Sequence, residues 1–242
     1  MRHDYSLWVH SGVGSLAMVL FWATLLSVKG SLRHRRRGRL FFLAMLATVL
    51  TVPAVVMLRP VPFDPGWIVS LVYLSACVGT VVTVAWTATR WKDQSERFRG
   101  PHFRILGPLI AFLGVVVLAA GLFKGDPVAV VLSWVGLAYG AAMIHFAWSR
   151  APLHHRWWLS WHVNAVFGLF TAVHGTLGFV IWRGLVKPEA TRADAAAWHV
   201  GVLVIALLMR AVVSRQRDLP WGFFERSTQP SRTPDSGQRV KG

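Results

Sequence analysis

The run Leu16-Ala-Met-Val-Leu-Phe-Trp-Ala-Thr-Leu-Leu-Ser-Val28 passes directly into Lys29-Gly-Ser-Leu-Arg-His-Arg-Arg-Arg-Gly-Arg39. A second run, Leu40-Phe-Phe-Leu-Ala-Met-Leu-Ala-Thr-Val-Leu50, begins at once. Charge confined to a short turn between long apolar stretches is the pattern of a chain whose solvent is lipid, where a helix needs about 20 apolar residues to cross. The alternation continues: runs near 9–28, 40–58, 67–89, 105–123, 127–148, 160–182 and 196–214 are each nearly free of charge. Unbroken hydrophobicity interspersed with Gly, Ala and Thr favours helices, because barrel strands would alternate apolar and polar residues over about ten positions. The expected fold is all-α, a polytopic bundle of about seven transmembrane helices within residues 1–215.

Composition agrees. Of 242 residues 54% are hydrophobic and 15% charged, whereas soluble domains carry about a quarter charged residues. A net charge of +16 is also the footprint of nucleic-acid binders. Here the basic residues sit beside apolar spans, where they fix topology and meet anionic lipid headgroups. Nucleic acid is therefore not an expected partner; anionic lipid is.

Orientation follows from counting. The first, third and fifth connections plus the tail hold 20 of the 26 basic residues, leaving Arg2, Arg59, Lys124, Arg183, Lys187 and Arg192 on the other side. Basic residues concentrate on the cytoplasmic side of membrane proteins, so the N-terminus is expected outside and the C-terminus inside. Trp8, Trp67 and Trp198 then fall at outer boundaries, and Trp91, Trp148, Trp157, Trp158 and Trp161 at inner ones, where indoles prefer to lie. Leu16–Val28 leads into a basic cluster without a small-residue cleavage site, which reads as a retained first span rather than a secretory signal.

Residues 216–242 are rich in Ser, Thr, Pro, Gln and Arg. Such a segment buries too little apolar surface to offset its ordering entropy, so a disordered basic cytoplasmic tail is expected. Leu219-Pro-Trp-Gly-Phe-Phe224 would touch the membrane surface first.

Small residues mark expected helix contacts, since association in lipid depends on close backbone approach and interhelical hydrogen bonds. Gly107, Ala111, Gly114 and Gly121 form one stripe; Gly136 and Gly140 form another. Asn164, Gly168, Thr171, Gly175 and Gly178 make a third, which predicts a central sixth span.

Carboxylates sit at span ends, so a carboxylate-based ion pathway lacks its usual parts. The lone Cys77 excludes an intramolecular disulfide and reads as a small packing residue. Gly-rich phosphate loops and the His-Glu-x-x-His and Gly-x-Ser-x-Gly motifs are absent from the sequence. Histidine remains. His10, His174 and His199 belong to the outer half, and His145 and His162 lie near the inner boundary. A b-type haem takes two axial imidazoles at matching depth, so His174 with His199 or His10, and His145 with His162, are the candidate cofactor ligands. The ordinary reading of each is a hydrogen bond to a neighbouring helix or solvation at the boundary. His34, His102, His154 and His155 fit a basic, lipid-facing surface without zinc-ligand spacing.

Val9-His10-Ser-Gly12, Lys29-Gly30, His34-Arg35-Arg-Arg-Gly38-Arg39 and His155-Arg156-Trp157-Trp158 together resemble an uncharacterised family of multi-span bacterial membrane proteins, a domain of unknown function. Its members show a His early in span one, a Lys-Gly…His-Arg-x-x-Gly-Arg element between spans one and two, and a second His-Arg-x-Trp element. The likeness covers about two-thirds of the chain. It departs after the second element, where the family often has a further basic residue within the span and this chain has His162 and Asn164. The resemblance implies a bacterial inner (plasma) membrane location. It makes His10, His34, Arg35, Gly38, Arg39, His155 and Arg156 positions to test, and it carries no activity.

Two functions are therefore expected candidates. One is binding of a small redox or lipid-like cofactor in the bundle, most specifically haem b for electron transfer. The other is a non-enzymatic structural, assembly or sensing subunit that packs against partner membrane proteins.

Overall fold

The computed structural model describes residues 2–59 and 65–224. It is an all-α bundle whose elements are α1 (Arg2–Leu25), α2 (Leu32–Met57), α3 (Pro65–Arg90), the single turn α4 (Ser95–Phe98), α5 (Pro101–Lys124), α6 (Pro127–Trp148), α7 (Trp157–Leu185) and α8 (Arg192–Arg217). Among the described residues, seven helices are long and apolar enough to cross a membrane. α1 and α2 form one hairpin, α5 and α6 another. α3 and α7 pack together between them, and α8 lies against α6 and α7.

Most helices extend beyond their apolar runs because the flanking residues are start signals. Ser31 caps α2, its hydroxyl accepting the His34 N–H. The Asp126 carboxylate accepts from the Val128 and Ala129 N–H groups, with Pro127 at the first position of α6. Thr191 and Asp194 form a reciprocal capping box at α8. Such caps satisfy the four backbone donors that every helix start leaves unpaired. α1 is the exception at its far end, stopping at Leu25 before Gly30 turns the chain at φ 80°.

The α5 and α6 stripes face each other. A Cβ on Gly140 would lie 2.6 Å from the Ala111 Cβ and 2.8 Å from the Gly107 carbonyl; one on Gly114 would lie 3.0 Å from the Leu137 nitrogen. In α7, Gly168 meets Tyr139, Gly175 meets His199 and Gly178 meets Trp198. These glycines are used for contacts within the bundle.

Two expectations need correction. Trp157 and Trp161 are buried, not placed at a lipid boundary. They join Phe98, Phe103 and Phe146 in an aromatic cluster at the end of the bundle that carries the C-terminus, hereafter the C-terminal face. The beginning of the expected disordered tail is also ordered. α8 runs to Arg217, Leu219 is buried, and Phe223 stacks on Trp161 with centroids 4.1 Å apart and planes 6° from parallel. A backbone bridge joins Leu153 to Phe224. The segment docks because Leu219 and Phe223 bury apolar area that the composition of the whole tail obscures. The rest of that tail lies outside the described residues.

Candidate functional site: an interhelical cavity lined by Arg210

A cavity of about 690 Å³ lies between the helices, lined by residues of α1, α2, α3, α6, α7 and α8 and by Trp221 and Phe223. Its walls are mainly aliphatic, from side chains such as Val49, Leu74, Val135, Ala172 and Leu203. Among the described residues no carboxylate lines it.

Few polar groups line it: Thr48, Ser75 and Thr171 fall along the middle of their helices, while His10 and His199 lie toward one end and Arg210 toward the other. At the C-terminal face stands Arg210, eleven residues past His199 and so about 16 Å further along α8 at 1.5 Å per residue. Arg210 is 2% exposed. Its Nε donates to the Asn164 Oδ1 (2.5 Å), an Nη to the Pro220 carbonyl (3.0 Å) and the other Nη to the Ser214 hydroxyl. The guanidinium lies 4.9 Å from the centroid of the Trp221 ring. Every one of these partners is neutral, and among the described residues no carboxylate forms an ion pair with it. The backbone carbonyl of Asn164 meanwhile accepts the Tyr139 hydroxyl (2.6 Å), which Gly168 admits by lacking a Cβ. One polar chain thus connects α6, α7, α8 and the C-terminal segment.

Nearby loops reinforce this end. Ser160 also donates to the Pro220 carbonyl (3.1 Å), Arg156 donates to the Arg217 carbonyl (2.5 Å), and His154 N–H bonds to the Phe223 carbonyl (3.0 Å). In the connection between α1 and α2, burial and the like charge of Arg217 push the Lys29 ammonium below its ordinary pKa. His34 and Arg37 tie that connection to α1 through the Thr24 and Ala23 carbonyls, and Gly38 packs on Thr24.

The histidines divide by what their nitrogens do. His10 Nδ1 lies 2.7 Å from the Thr51 hydroxyl, and the ring also hydrogen-bonds with the Thr48 backbone. His199 Nδ1 donates to the Ala195 carbonyl (2.7 Å), and its buried Nε2 has no partner. Both rings line the cavity. His174 differs. Its Nδ1 donates to the Phe170 carbonyl (3.0 Å) and its Nε2 accepts the Trp22 indole N–H (2.9 Å), so neither nitrogen is open. Its neighbours are Phe21, Trp22 and Phe170.

His145 and His162 do not converge. His145 is exposed and meets Phe224, whereas His162 donates to the Ala85 carbonyl (2.9 Å) and faces Phe42. Among the described residues no group of three or more His, Cys, Asp or Glu side chains is placed to hold a metal ion.

Sequence reading missed Arg210. At the end of an apolar run it counts as a topology-setting charge, and only its burial identifies it as interior. The signal that points to it is Asn164, a polar residue within a span at a matching distance from the C-terminal face. No family model, curated protein or solved structure matches the chain.

Proposed function

We propose that this multi-pass membrane protein binds a small lipid-like molecule inside its helix bundle. The observation that carries the reading is the 690 Å³ cavity, whose walls are mainly apolar, with Arg210 at one end and His10 and His199 toward the other. Ligand sites are typically concave, mostly apolar and of about 300–1,000 Å³, with a few placed polar groups. By the positive-inside rule the C-terminal face is cytoplasmic, which puts Arg210 toward the cytoplasm and His10 and His199 toward the far side. The resemblance noted in the sequence supports a bacterial inner-membrane location.

Native mass spectrometry of the purified protein tests this. The wild type is expected to carry a small-molecule adduct, and Ala172→Trp, which fills the cavity, is expected to lose it while staying monodisperse and helical. A wild type without an adduct, or equal adducts in both proteins, would overturn the reading.

The redox form of the same reading is haem b. His10 and His199 support it as the ligand pair, because both line the cavity and the buried Nε2 of His199 has no partner among the described residues, while that of His174 is engaged. A Soret band in protein expressed with haem supply, lost in His199→Ala, is the expected result. A colourless protein removes haem and leaves the lipid-like occupant.

A further inference from the structure

We infer that the occupant is a single-chain amphiphile with a monoanionic carboxylate head, held by Arg210 at the C-terminal end of the cavity. This rests on the lipid-like reading above and adds the charge and direction of the ligand.

The first ground is charge. Arg210 is buried and remains cationic at neutral pH, yet Asn164, Ser214, Pro220 and Trp221 are all neutral partners. A buried charge without a counter-ion is costly. Among the described residues no carboxylate lines the cavity, so a ligand anion would complete the site.

The second ground is donor accounting. A guanidinium has five N–H groups, and three are used by Asn164, Ser214 and Pro220. The two that remain are one on each Nη, and charge-assisted bonds to a carboxylate are among the stronger hydrogen bonds available to them. Trp161, which also lines the cavity, keeps a buried indole N–H without a partner.

The third ground is size. A volume of about 690 Å³ is of the size that takes one drug-sized ligand. A single negative charge balances a single arginine, whereas a dianionic head would leave charge uncompensated. The aliphatic walls between Arg210 and His199 receive the chain.

The test uses the full-length protein in nanodiscs of zwitterionic lipid, with photoactivatable palmitic acid and its alcohol counterpart as probes. Crosslinks are mapped by peptide mass spectrometry. The acid is expected to label cavity residues such as Leu203 and Val135 about tenfold more than the alcohol, the scale of a charge-assisted hydrogen bond. Arg210→Gln is expected to bring the ratio to near one while alcohol labelling persists. Equal labelling of wild type by acid and alcohol overturns the head-group inference and leaves the cavity reading intact; absence of cavity labelling by either probe overturns both. Should Arg210→Gln not fold, the wild-type ratio still decides. Loss of acid labelling when phosphatidylglycerol is added would assign the site to a phospholipid head and overturn the single-chain acid.

Discussion

The Nε of Arg210 donates to the Oδ1 of Asn164 across 2.5 Å, joining α8 to α7 inside the bundle. Asn164 holds Tyr139 through its carbonyl and Arg210 through its side chain. Replacing it with Ala leaves the Arg210 Nε buried without an acceptor, which costs about 1–3 kcal/mol. Thermal unfolding in detergent should show Asn164→Ala melting below wild type. An unchanged midpoint would mean that the guanidinium finds another acceptor.

Glycine substitutions should split by position. A Cβ on Gly140 would come within 2.6 Å of the Ala111 Cβ and 2.8 Å of the Ala111 nitrogen, whereas one on Gly201 meets nothing within 4 Å. Gly140→Ala is expected to destabilise by about 1–3 kcal/mol through overpacking. Gly201→Ala should be neutral or stabilising by about 0.5–1 kcal/mol, since Gly costs backbone entropy in a helix. Melting points of the two proteins side by side provide the check; equal shifts would contradict the tight α5–α6 contact.

Phe223 holds the C-terminal segment by stacking on Trp161. Such pairs contribute about 0.5–1.5 kcal/mol beyond area burial, so Phe223→Ala should raise the open population of the segment up to about tenfold. Trypsin cleavage after Arg217 should quicken by that factor while the bundle's melting point barely moves. Unaltered cleavage would show that the Pro220 and Phe223 backbone bonds suffice.

On the opposite face, Arg192 bonds to Asp126, linking the start of α8 to the cap of α6. Burial opposes ionisation of Asp126, but the hydrogen bonds from Arg192 and from the Ala129 and Val128 backbone outweigh it and hold the carboxyl below its ordinary value. The link therefore contributes at pH above the usual Asp range and is lost as pH falls through the depressed value. Arg192 is largely exposed, so the pair contributes no more than about 1 kcal/mol. Wild type should melt slightly above Asp126→Asn at neutral pH, with the difference closing on acidification. A gap that widens in acid would reverse the assignment.

The sequence by itself determined the seven spans, because apolar runs of crossing length and charge clusters are properties of consecutive residues. It also determined that the α5, α6 and α7 glycines mark close packing: small residues at a helical period leave one face able to approach another helix. Tertiary structure alone decided what each histidine can do. His174 and His199 look equivalent by depth, yet Trp22, 152 positions away in sequence, occupies one Nε2, and no partner among the described residues occupies the other. It also decided that Arg210 is interior and Phe223 docked, because burial of a residue near a span's end depends on what folds back over it. Hydropathy is a sum along the chain. The cavity and the burial of Arg210 beside it are relations between helices, and these arise only when the helices meet.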